Sequence, residues 1–255
     1  MRTRVTTTVR TAALALVALV LPVAVSQPAQ AAACTDPKFV TSDPNGMWEQ
    51  GGYIVHNNMW NASGYDISET LRACSHRNWS VRVTADNSNG DGAVKTYPNV
   101  HKDYHDWSTG AEPRLSSFAR IRSTWAARTP GVGIYNAAYD IWLNGVPGDY
   151  EVMIWTDNHR QVPAGSVVAK GLRFSGERWR LWATDDNSIL SFVPSRRLTH
   201  GTLPIKRMLS WLVAHGRVSD KATLGQICFG FEVVSTDGAP ATFKVNDFSV
   251  STRRY

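Results

Sequence analysis

The apolar positions of this chain recur mostly with a period of two. In "YEVMIW" (150–155), Val152 and Ile154 alternate with Glu151, Met153 and Trp155. In "QICFGFEVV" (226–234), Ile227, Phe229, Phe231 and Val233 form one set, and Gln226, Cys228, Gly230 and Glu232 the other. "YDIWL" (139–143) divides the same way, with Tyr139, Ile141 and Leu143 against Asp140 and Trp142. Such alternation predicts strands with one face in a core. Further runs of this kind are "GYIVHNNMW", "WSVRVTA", "ERWRLWAT", "SILSFVP" and "ATFKVNDFSV". Turn-forming stretches such as "DPNG", "NASG", "DNSNGDG", "NGVPGD" and "STDGAP" separate them. The pattern predicts an all-β fold, a sandwich or jelly roll. One segment breaks the period. In "LPIKRMLSWLVAHGR" (203–217), Ile205, Met208, Leu209, Leu212 and Val213 make a helical stripe stopped near Gly216. A lone amphipathic helix of this kind is expected to pack on a sheet.

The first 33 residues follow neither period. Arg2, Arg4 and Arg10 precede the apolar run "TAALALVALVLPVAV" (11–25), and "PAQAAAC" then supplies small residues at A-x-A spacing. That is the layout of a secretory signal peptide, and the run is short for a membrane span. Two rival readings are an uncleaved anchor and lipid attachment at Cys34, the latter lacking a large apolar residue at Ala31. The expected organisation is a signal over 1–33 and a single β-jelly-roll domain over 34–255, secreted, monomeric and free of the membrane after cleavage.

Composition then changes the picture in two ways. The formal charge is +6, but three of the 27 basic residues lie in the first 33 positions against no acids. The remainder has 24 basic against 21 acidic side chains, about +3, with no basic block. Nucleic acid is therefore not an expected partner. Three cysteines in an exported chain allow one disulfide. Cys34–Cys74 is the favoured pair, tying the domain's start to an early strand, and Cys228 reads as a buried small hydrophobe.

Three strands thus carry an acid on the face opposite their apolar set: Asp140, Glu151 and Glu232. Acids on an outer strand face are ordinarily just solvated. Here their companions are Trp142, Met153 and Trp155, which suit a binding cleft better than open water. With ten tryptophans in the chain, stacking platforms for sugar rings are available. Two carboxyl groups flanking a glycosidic bond are the minimum for its hydrolysis, one ionised and one protonated.

"NNMW" (57–60), "YNAAYDIWL" (135–143), "EVMIW" (151–155), "ILSFV" (189–193) and "GFEVV" (230–234) stand in the order seen in glycoside hydrolase family 12, and the chain from Cys34 onward resembles that family. The resemblance implies a β-jelly roll of two curved antiparallel sheets with one α-helix on the convex side. It implies a secreted, retaining endo-β-1,4-glucanase acting on a β-glucan polysaccharide without cofactor or metal. By the same resemblance Glu151 matches the nucleophile and Glu232 the acid/base, with Asp140 sharing a hydrogen bond with the nucleophile. Asn58 and Trp60 match a glycone-side subsite, and Met153 and Trp155 match positions near the point of cleavage. The sequence departs from the family at Val233 and Val234, after "FE", and in "YPNVHKDYHDWSTG" (97–110), which lacks a second disulfide. These departures motivate an alternative, a non-catalytic carbohydrate-binding relative. His101, His105 and Asp106 are metal-ligand types, but their expected state is a solvated polar loop. Acyl-serine and P-loop motifs are not found in the sequence.

Overall fold

The alternating runs become strands, and the strands form two facing sheets. The structure, a computed structural model, describes residues 34–255, so the expected signal over 1–33 lies outside the described residues. Strands are numbered in chain order. One sheet has six strands in the spatial order β1 (Phe39–Thr41), β4 (Ile67–Ser75), β5 (Asn78–Ala85), β15 (Ala241–Arg254), β7 (Phe118–Arg128) and β13 (His200–Leu203). The other has nine: β10 (Ser166–Phe174), β11 (Glu177–Ala183), β12 (Ile189–Pro194), β9 (Gly148–His159), β8 (Ile134–Gly145), β14 (Leu224–Ser235), β6 (Asn99–Asp103), β3 (Tyr53–His56) and β2 (Met47–Gln50).

The expected jelly-roll sandwich is present, with one amendment to its antiparallel sheets: β12 pairs with β9 in parallel. The reason is topological. β10, β11 and β12 form an antiparallel meander whose last strand lies beside β9, running in the same direction.

The faces of β8, β9 and β14 are set by what they bury. Tyr139, Ile141, Val152, Ile154, Phe229 and Phe231 are fully buried in the core between the sheets. They meet Trp79, Trp125, Phe243 and Phe248 of the six-stranded sheet, with Trp79–Phe231 centroids 5.7 Å apart and Phe229–Phe248 stacked at 6.0 Å. A slip of one residue would turn all six side chains outward. At roughly 1.5–3 kcal/mol each, that loss of about 9–18 kcal/mol matches or exceeds a typical whole-domain stability of about 5–15 kcal/mol. Burial therefore decides the register, and the acids are left on the opposite face.

Helix α1 (Ile205–Ala214) packs against β7. Its stripe, Ile205, Met208, Leu209 and Leu212, is buried as part of the same core. Cys34 and Cys74 form the disulfide, joining the start of the domain to β4. No helix of the described residues is long and apolar enough to cross a membrane.

Candidate active site

Asp140, Glu151 and Glu232 line one cleft of about 830 Å³ on the outer face of the nine-stranded sheet. Each comes from a different neighbouring strand: Glu151 from β9, Asp140 from β8 and Glu232 from β14. Glu151 lies opposite Trp142 and Glu232 opposite Asn136, so the two glutamates are offset by six residues along β8. Asp140 stands between them, opposite Met153 on one side and Cys228 on the other. It is thus one diagonal step from Glu151 and two from Glu232, and diagonal neighbours on a sheet face are within side-chain reach.

Glu232 is held by two amides. Asn136 Nδ2 and Gln161 Nε2 both donate to its Oε2, the latter at 3.2 Å. The expected hydrogen bond between Asp140 and Glu151 is not formed. Asp140 Oδ1 has no hydrogen-bond partner, and the aspartate feels Glu151 through charge.

The far wall of the cleft is built by a loop and by β6, β3 and β2. Asn58 adopts the left-handed conformation, φ 44°, and its carbonyl accepts from Tyr97 N–H at 3.0 Å. Asn61 Nδ2 donates to Val94 O at 2.8 Å. These bonds tie the 57–61 loop to the 94–97 segment and leave Trp60, 62% exposed, as an open ring at the cleft. Segment 94–97 in turn pairs with β14 beside Glu232, through Val233 N–H to Thr96 O at 3.1 Å. Gly230 makes that approach possible, because a Cβ there would stand 2.2 Å from Pro98 O.

The structure brings Asn58 and Trp60 to the cleft together with the three acids. Met153 and Trp155 are on the same sheet face but do not line it. They are 5% and 2% exposed and form a small apolar cluster with Ala138 and Val193, covered by Trp182. Their neighbours on β11 and β12 cap them, which alternation within β9 alone does not reveal.

Several cleft residues escaped the reading of the sequence. His101 lies in β6, buried rather than in a solvated loop, and faces Cys228 across the ladder. His56 on β3 lies nearby, with ring centroids 6.0 Å apart. The period-two set Asn99, His101 and Asp103 in "NVHKD" was the available signal. The 104–110 loop is well tied: Asp106 accepts from Ser108 N–H at 2.9 Å, and Trp107 Nε1 donates to Asp103 at 2.9 Å, setting that ring on the rim. Cys228 is buried as expected, yet on the cleft face, its thiol donating to Gln226 Oε1 at 2.9 Å.

With this geometry in place, comparison with known proteins is decisive. The model of glycosyl hydrolase family 12 matches residues 51–253. The chain belongs to glycosyl hydrolase family 12. Among curated relatives, Endoglucanase S of Pectobacterium parmentieri is 29% identical over 168 residues, 57% of this chain and 62% of that protein. The chain thus spans under two thirds of that relative. A probable xyloglucan-specific endo-beta-1,4-glucanase A of Aspergillus fumigatus is 26% identical over 226 residues, covering 82% of this chain and 90% of the relative. A native family 12 xyloglucanase from Bacillus licheniformis shares the fold, with a TM-score of 0.74 at 23% identity over 84% of this chain and 100% of that one.

In this family 12 site the electrostatics favour shared protons. Burial, then the charges of Glu151 and Glu232, hold Asp140 well above the usual carboxylate range. Burial, then Glu232, pushes Glu151 up to about 7. Burial also raises Glu232, opposed by the Asn136 and Gln161 donors. Three carboxyls in one low-dielectric cleft resist ionising together and titrate as a set. With both amides on Oε2, a protonated Glu232 carries its hydrogen on Oε1. On the far wall burial, then His101, lowers His56 to about 4, and burial lowers His101 against the opposing pull of Asp103, so both imidazoles are neutral near pH 7.

Proposed function

We propose that the protein is a retaining endo-β-1,4-glucanase that cuts β-1,4-glucan chains lying across the outer face of the nine-stranded sheet. One observation carries the reading: Glu151 and Glu232 line a single cleft with Asp140 between them. In the first step the Glu151 carboxylate attacks the anomeric carbon. The glycosidic C–O bond breaks, and the Glu232 proton passes to the departing oxygen. In the second step Glu232, now ionised, takes a proton from water. The water oxygen attacks the anomeric carbon and displaces Glu151, giving net retention. Once Glu151 is an ester its negative charge is gone, so Glu232 ionises more easily and stands ready as the base for the second step. Asp140, kept neutral by burial and by its two acidic neighbours, spares Glu151 a further negative charge nearby. The carboxyl separation expected for this mechanism is about 5–5.5 Å.

Trp60 and Asn58 would hold the glycone side, and Met153 and Trp155 would support the floor beside the scissile bond. The polymer class follows from the named relatives, which include both endoglucanases and xyloglucan-specific enzymes. All three acids in one cleft favour catalysis over a binding-only relative. We propose further that 34–255 is one catalytic domain, monomeric and exported after loss of residues 1–33; the Cys34–Cys74 disulfide supports an oxidising destination. The test is a panel of carboxymethylcellulose, mixed-linkage glucan and xyloglucan, with reducing ends and product anomers followed. Cleavage with β-configured first products is expected. Inverted products, or none from any polymer, would overturn the reading.

A further inference from the structure

A second cavity of about 410 Å³ has Gln161 in its wall. Gln161 lines it while donating to Glu232 Oε2 at 3.2 Å, so the cavity begins beside the proposed acid/base. Its wall contains Trp182, one acid, Asp157, and three arginines, Arg180, Arg196 and Arg197. Arg197 Nε pairs with Asp157 at 3.0 Å, and Arg196 is paired with Glu177. The Arg180 side chain has no hydrogen bond or ion pair among the described residues. Arg178, two residues earlier on β11, shares its face and stands directly opposite Arg173 of β10, both exposed. Like charges directly opposite each other on a sheet face repel, and no acid is bonded to either. The 830 Å³ cleft on the other side of Glu232 is lined by Asp103, Asp140 and Glu151 and by no lysine or arginine.

The two ends of the substrate path therefore carry opposite charge. The acid that protonates the leaving oxygen must face the departing chain, and Gln161 joins that acid to the arginine-lined end. We propose that this end takes a carboxylate-bearing sugar or substituent on the departing part of the glucan. The proposal rests on the assignment of Glu232 as acid/base. The guanidinium fork matches a carboxylate in geometry as well as charge. Gln161 Oε1 is buried without a partner and is an available acceptor for a sugar hydroxyl. An acidic sugar on the other side of the cut would meet the carboxyls of the main cleft.

The test compares neutral hydroxyethylcellulose with partially C6-oxidised cellulose, in which some glucosyl residues are glucuronosyl. Oxidised-polymer products are expected to carry glucuronosyl residues near new non-reducing ends, with glucosyl residues at new reducing ends. The ratio of kcat/KM on the oxidised to the neutral polymer is expected to fall about two- to fivefold in R180A, and further in R178A/R180A, the scale of exposed ion pairs. Raising salt from about 0.02 M to about 0.5 M should lower the same ratio. A ratio indifferent to both arginines and salt, or glucuronosyl residues concentrated at new reducing ends, would overturn the proposal while leaving the glucanase reading intact. If neither polymer is cleaved, the glucanase reading fails instead. Affinity electrophoresis of E151Q and E151Q/R180A on the two polymers then carries the arginine test.

Discussion

The two halves of the nine-stranded sheet present different surfaces to a substrate. From β14 to β2 the outer face offers the half-buried acids Glu232 and Asp103, neutral imidazoles and the open rings of Trp60 and Trp107. From β9 through β12 and β11 to β10 it offers a capped apolar cluster of Met153, Trp155 and Val193, and then arginines. The three carboxyls lie where the halves meet, on β9, β8 and β14. Chemistry needs burial that raises carboxyl pKa values, whereas recognition of a polar chain needs exposed, partly satisfied groups. The molecule separates these demands by position along the sheet, and the proposed mechanism gives the cleft a polarity, with Trp60 on its glycone side and Gln161 on its leaving-group side.

The largest way to break this comparison is to remove its boundary. E151Q is expected to lower kcat on mixed-linkage glucan by about 10⁴-fold or more, since the nucleophile is lost. E232Q should cost about 10²–10⁴-fold on the polymer, the range of general acid catalysis. On an aryl cellobioside whose leaving group needs no proton, the first step of E232Q should be nearly normal, with azide restoring turnover. Equal losses on both substrates would remove Glu232 from the acid role.

The next effect is on pH. Glu151 must be ionised to attack, and it is pushed up to about 7 by burial and by Glu232. Activity of the wild type should therefore fall as pH drops through about 7, and E232Q should move that limb down on the activated substrate. The same shift acts on folding. A carboxyl whose folded pKa is raised binds its proton more tightly in the folded state, so its contribution is present at low pH and is lost as pH rises. Between about 4.5, the ordinary value, and about 7 the wild type should lose up to about 3 kcal/mol relative to E151Q. Urea unfolding of both proteins at pH 5 and pH 8 measures this. A gap between them that does not widen with pH would contradict the electrostatic account.

The smallest effects sharpen the difference between the halves. W60A should raise KM about three- to tenfold through lost ring stacking, with kcat little changed. W155F lies in the capped cluster and should act through packing, altering unfolding more than KM. A KM effect larger in W155F than in W60A would reverse the assignment of exposed and supporting rings.

Much of this was legible in the sequence because alternation reports burial strand by strand. The inward sets of β8, β9 and β14, the helix stripe and the Cys34–Cys74 pair all appear as read. What alternation cannot report is which strands become neighbours. Trp155 reads as a cleft residue until β11 and β12 cover it. His101 reads as loop until β6 inserts between β14 and β3, opposite Cys228 and Ile54. Gln161, beyond the end of β9, reaches Glu232 only because the two strand ends are brought together across β8. Residues whose role depends on pairing were invisible for that reason, while the three acids were marked by their own strands.

The central claim is that Glu151 and Glu232 act on one acetal from a shared cleft, the first as nucleophile. Incubation with 2,4-dinitrophenyl 2-deoxy-2-fluoro-β-cellobioside, followed by peptide mass mapping, tests it most directly. The account predicts one covalent fluorocellobiosyl adduct in the wild type, on Glu151, and no adduct in E151Q. An adduct on Asp140 or Glu232, or burst-free turnover of the reagent with inversion, would contradict it.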